Sequence, residues 1–116
     1  MRTIIAGSRT CCDYSEVLQA TRECGWHISR VISGGARGVD RLGEQWAFEQ
    51  GLPLERYPVT RMMWREDGPG AGMMRNARMA EHADALIALW DGHSPGTKGM
   101  IDIATRKGLR VYIHFV

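Results

Sequence analysis

The sequence predicts an α/β fold, a three-layer sandwich built on a five-stranded, mainly parallel sheet. Three observations carry that expectation. Short apolar bursts alternate with longer amphipathic stretches, which is the signature of βα units. The stretches between the bursts space their apolar residues at helical period. Glycine-containing turns follow the bursts, as in "AGSR", "ISGGARG" and "DGHSPG". At 116 residues, 44% hydrophobic and 24% charged, the chain suits a single domain, residues 1–116, with a core of its own.

The elements follow in order. "TIIAG" (Thr3 to Gly7) is a β-branched run ending in glycine and predicts the first strand. "DYSEVLQATRECG" opens with Asp13 three residues ahead of Glu16, the spacing of a capping box. It sets Val17, Leu18 and Thr21 on one face and stops at Gly25. "SRVISGG" predicts the second strand, and Val39, Leu42, Gly43, Trp46 and Ala47 then recur at helical spacing until Gly51 and Pro53. "LPLERYPV" is the third and weakest strand, bracketed by Pro53 and Pro58 as an edge strand would be.

Thr60 to Gly72 has no period and holds three glycines, so it is expected to be a loop. "MMRNARMAEHA" is a helix with Met74, Ala77 and Ala80 or Glu81 at helical spacing. Its Met-rich positions, like Trp46, are assigned to the core. "DALIALW" is the most continuously apolar run, which suits a strand buried on both faces near the sheet centre. "DGHSPGT" reads as a loop, "KGMIDIATRKG" as the last helix and "LRVYIHFV" as the last strand. Right-handed crossovers then favour the order 3-2-1-4-5. That order puts its reversal, where open α/β sheets bind ligands, between strands 1 and 4.

Composition excludes several classes. A net charge of +2 gives no whole-surface field for nucleic acid, which is not expected as a partner, and leaves a local basic patch open. Cys11, Cys12 and Cys24 fit neither a disulfide framework nor a CxxC metal spacing. Without a cleavage-site pattern or an apolar stretch near the ~20 residues of a membrane span, a cytoplasmic location and no membrane partner are expected. No GxGxxG follows the first strand and no Walker A lysine exists, so no dinucleotide or P-loop motif calls for a cofactor. The histidines have no metal spacing, and no metal site is expected. Self-association is left open.

The glycines and hydroxyls fall where chemistry is expected. Gly7, Ser8 and Arg9 follow strand 1. Gly34, Gly35, Ala36, Gly38 and Asp40 follow strand 2, and Asp91, Gly96 and Thr97 follow strand 4. All lie at carboxyl ends of strands and converge on one crevice. Glycines let a ligand approach the backbone, and helix N-termini favour an anion, so a phosphorylated small molecule is the expected ligand. Asp40 either caps its helix or accepts from a ribose hydroxyl. Asp91 is a loop cap or a polar ligand contact. Trp64 is a lid over the core or a stacking platform for a base.

The set "IIAGSR", "VISGGARGVD", "GPGAGMMRNARM" and "LIALWDGHSPGTKGMIDIA" resembles the SLOG superfamily of Rossmann-like nucleotide-binding domains, and most of all its small YspA-type branch. The resemblance covers nearly the whole chain. It implies relatives among the phosphoribohydrolases and the DNA-loading DprA proteins. It also implies ligand roles for the strand 1 and strand 2 loops, for Arg75 and Asn76 as the RN pair, and for Gly96 and Thr97 as the phosphate-cradling GT. The phosphoribohydrolase pattern places a glutamate three residues after that threonine, and here Met100 stands there. Methionine does no acid or base chemistry, so a binder (sensor, carrier or sequestering protein) is expected. The alternatives are a glycosidic hydrolase using Asp91, His93 or Asp102, and a DprA-like single-strand DNA binder.

Overall fold

The computed structural model describes residues 1–116, apart from the side chains of Asp67 and Pro69. Five strands, β1 (Arg2–Gly7), β2 (Arg30–Ser33), β3 (Leu54–Arg56), β4 (Ala85–Trp90) and β5 (Arg110–Phe115), form one sheet in the order β3-β2-β1-β4-β5. The expected order holds, and among the described residues every strand pairing is parallel. The helices are α1 (Tyr14–Glu23), α2 (Val39–Gln50), α3 (Arg61–Asp67), α4 (Ala71–Glu81) and α5 (Pro95–Arg106), with a 3₁₀ turn over Gly68–Gly70.

Two cores sit on the two faces of this sheet because successive strand residues point to opposite sides. Ile4, Leu86 and Ala88 pack with Met79, Ala80, Met100 and Ile103 of α4 and α5. Ile5, Ile87 and Leu89 pack with Val17, Ala20, Val39 and Ala47 of α1 and α2. Right-handed crossovers explain the split: connections that step one way from β1 put helices on one face, and those that step the other way put them opposite. The apolar run of β4 is thus buried on both sides, as its sequence predicts. At the far edge β3 is only three residues long, with Pro53 and Pro58 flanking it.

Four expectations are corrected. The stretch from Thr60 is not a loop: α3 starts there, with the Thr60 hydroxyl accepting from the Met63 N–H at 3.2 Å. It carries exposed Met62 and Trp64, so no apolar face betrays it in the sequence. "DGHSPGT" gives up its second half to α5, whose Pro95 supplies a preset φ in the first turn. Asp13 does cap α1, through the Ser15 N–H at 3.0 Å, but Glu16 closes no capping box. Its carboxylate faces His114, a partner 98 residues away. Met74 and Met73 are exposed rather than core, whereas Met79 and Met100 are fully buried.

Candidate functional site

A cleft of about 480 Å³ opens at the carboxyl edge of the sheet, over the ends of β1 and β4. Of the candidate residues, Gly7, Ser8, Arg9, Ala36, Asp40, Arg75, Asn76, Asp91, Gly96 and Thr97 line it. Gly34 and Gly35 line an adjoining pocket, and Gly38 lines neither. His93 is exposed outside the lining, and Asp102 is exposed and paired with Lys98 at 3.0 Å. Thr10, Met73, Ser94 and Pro95 also line the cleft, though the sequence reading did not single them out. The Ser-Pro pair is a helix-start signal that pointed to the last two.

The glycines of "GGARG" have reasons inside the protein. Beside Gly34 lies the Arg75 guanidinium, so near that a Cβ there would stand 2.4 Å from Nη1 and 2.9 Å from an Asp40 oxygen. Gly38 has φ +76°, and a Cβ on it would lie 2.4 Å from the Ser8 carbonyl oxygen. That carbonyl accepts the Val39 N–H at 3.2 Å, which ties the first loop to the start of α2. Glycine here allows the two loops to touch.

Arg75 is the hinge of the site's electrostatics. Its Nη1 donates to the Gly34 carbonyl at 2.7 Å, and its Nε donates to Asn76 Oδ1 at 2.9 Å. The second bond orients the buried Asn76 side chain; among the described residues, its amide nitrogen has no protein partner. Burial draws the Arg75 guanidinium down from its ordinary value, Asp40 opposes that shift and Arg9 adds to it. Burial likewise pushes the Asp40 carboxyl up to about 6, against the Ala36 N–H that donates to it at 3.1 Å and the nearby positive charge of Arg75.

This raised value has a consequence for stability. Between the unfolded value near 4 and about 6, the folded state holds a proton that the unfolded chain has released. Stability therefore falls as pH rises through that window, and the cost persists at neutral pH. Relative to Asp40→Asn, the natural protein is expected to lose roughly 2–3 kcal/mol between pH 4 and pH 7. Urea melts of both proteins across that range check it, and parallel pH profiles would exclude the effect.

The loop after β4 is held by Asp91, whose carboxylate accepts from the His93 N–H at 2.8 Å, the Ser94 N–H at 2.7 Å and the Ser94 hydroxyl at 2.8 Å. Those donors hold its carboxyl down at about 2. The Ser94 hydroxyl, at the N-cap of α5, is thereby turned away from the helix and makes no cap bond. Gly38, at the N-cap of α2, has no side chain to offer. The N-termini of α1 and α3, by contrast, are capped by Asp13 and Thr60. Thr97 is buried, and its hydroxyl has no partner among the described residues. Met79 and Met100 add an apolar lining, and Trp64 reaches the cleft from α3, nearly half exposed.

Among the described residues no group of three or more His, Cys, Asp or Glu is arranged to hold a metal ion. Among the described residues no helix is long and apolar enough to cross a membrane.

Comparison with known proteins places this geometry in context. A model of the family described as YspA, cpYpsA-related SLOG matches residues 1–61. Gene 61 protein of Mycobacterium phage D29 is 34% identical over 119 residues, spanning 95% of this chain and 93% of that protein. The fold is similar to that of DNA processing protein A (DprA) from Streptococcus pneumoniae, with a TM-score of 0.76 at 18% identity over 97% of this chain. The chain spans about half the length of DprA, 49%.

Proposed function

This chain belongs to the YspA, cpYpsA-related SLOG family, and from that premise we propose that it binds a nucleotide or nucleotide-derived small molecule in the cleft. The observation that carries the reading is the start of α5. Its N-cap hydroxyl is committed to Asp91, so the N–H groups of Gly96 and Thr97 are left without a side-chain cap at the cleft wall. Uncapped N–H groups and the helix dipole suit a phosphate, and the Thr97 hydroxyl adds a donor. Arg9 and Arg75 supply positive charge, the free amide of Asn76 a further donor, and Asp40 an acceptor for a ribose hydroxyl. Trp64 offers a base its face. A sensor, carrier or sequestering protein needs no more than this cradle.

A second reading, a glycosidic hydrolase, has one observation in its favour: Asp40 is a buried carboxyl in the cleft, with its value raised to about 6, in the range of a general acid. Against it, Met100 is buried in the cleft wall where phosphoribohydrolases have their glutamate. A DprA-like role in DNA binding rests on fold similarity alone.

The test follows nucleotide binding and free base together. AMP is expected to raise the melting temperature and to bind by calorimetry, while chromatography after long incubation detects no adenine. Absence of binding by AMP, the other monophosphates and ADP-ribose would sink the binder reading. Turnover that survives repurification and disappears in Asp40→Asn or Asp91→Asn would establish the hydrolase.

A further inference from the structure

The cradle at α5 accounts for one anion and leaves an adjoining pocket unused. That pocket, about 270 Å³, adjoins the carboxyl ends of β2 and β3 and shares Arg9, Trp64 and Arg75 with the cleft. Arg37 and Arg41 line it alone. Four arginines thus line one small pocket that, among the described residues, has no carboxylate in its lining, in a chain of net charge only +2. The neighbouring strand arginines are neutralised, Arg30 by Glu55 and Arg56 by Glu44. Among the described residues, Arg9, Arg37 and Arg41 enter no ion pair. Converging positive charges repel one another, and a bound anion removes that repulsion while accepting from several guanidinium forks.

The separation of the two anion positions limits the ligand. One lies at the helix that follows β4 and the other beyond β2, with β1 between them. Neighbouring strands are ~4.8 Å apart, so those strand ends are roughly 10 Å apart. A single phosphate cannot meet both, and a diphosphate is shorter than that span. We infer that the arginine-lined pocket is a second anion subsite, and that the ligand is a nucleotide carrying two phosphates separated by its sugar. This rests on the cradle reading for the first phosphate.

Calorimetry with AMP, adenosine 3′,5′-bisphosphate and inorganic pyrophosphate, on the natural protein and on the double variant R37Q/R41Q, tests it. Both arginines are exposed and line only the second pocket, so the variant keeps the fold and its AMP binding. The bisphosphate is expected to bind the natural protein about tenfold or more tighter than AMP, the range for charge-assisted hydrogen bonds, and to lose that advantage in the variant. A bisphosphate that binds no tighter than AMP, or keeps its advantage in R37Q/R41Q, overturns the subsite. If AMP does not bind at all, the cradle reading fails separately and pyrophosphate decides. Its binding by the natural protein and loss in the variant upholds the arginine subsite, and any other result overturns it. A 5′-phosphorylated oligothymidine that binds tighter than the bisphosphate, with a steep salt dependence, overturns the small-molecule assignment in favour of nucleic acid.

Discussion

Gly7→Ala is expected to be among the most damaging single-atom additions to this chain. Gly7 pairs with Leu89 across β1 and β4, and a Cβ there would stand 2.2 Å from the Leu89 carbonyl oxygen and 3.0 Å from Val39 Cγ2. The same carbonyl accepts the Ser8 N–H at 3.2 Å, so it cannot retreat without breaking the bond that sets the first loop. Backbone, unlike the far end of a flexible side chain, yields only by moving a strand. The expected loss is roughly 3 kcal/mol, at the upper end for overpacking, against a typical total stability of about 5–15 kcal/mol. In a urea melt this is a midpoint shift of about 1–3 M. Gly96→Ala is the control, because its Cβ would enter open space within a helix. It is expected to leave stability unchanged or raise it by up to ~1 kcal/mol. Equal midpoints for the two variants would contradict the close approach of β1 and β4.

Arg75→Ala is expected to cost the cleft its ligand. The side chain supplies charge to the wall shared by both pockets, and its Nε fixes the amide of Asn76. Loss of a charged hydrogen-bonding group corresponds to about 1.5–3 kcal/mol, or roughly 10- to 100-fold in the affinity for AMP. Truncation also removes the positive charge that holds Asp40 down, so the Asp40 carboxyl rises above its present value and the pH dependence of stability shifts upward. Arg75→Lys separates these effects. It keeps a charge near Asp40, but a single ammonium cannot reproduce the fork that reaches the Gly34 carbonyl and Asn76 Oδ1 together. The lysine variant is therefore expected to retain the natural pH profile and still bind AMP weakly. Natural affinity in both variants would remove Arg75 from the site.

What the sequence made legible was whatever a local pattern encodes. The unbroken apolar run of β4 follows from burial on both faces, and chirality of the crossovers then ordered the strands. The loop residues at strand ends were legible for the same reason, since topology alone brings carboxyl ends together. Illegible were the features set by distant partners. Nothing near Gly34 announces a guanidinium contributed from 41 residues away. Nothing near Glu16 announces His114. Helix α3 escaped notice because it buries no stripe: Thr60 marks its start, but the residue at the capping-box position is Met63, whose Sδ accepts from the Thr60 N–H in place of a carboxylate.

The position of α3 also bears on how such a chain can change. Among the described residues none of α3 belongs to either core, yet Trp64 stands at the wall between the cleft and the arginine pocket. The two cores and the cleft wall at Trp64 are thereby carried by different stretches of the chain. Substitutions within α3 can reshape the cleft wall at Trp64 while the five-stranded frame and its two cores go untouched. If the cleft binds its ligand as proposed, α3 acts as an exchangeable faceplate, and grafting it between relatives tests whether it sets which ligand is taken.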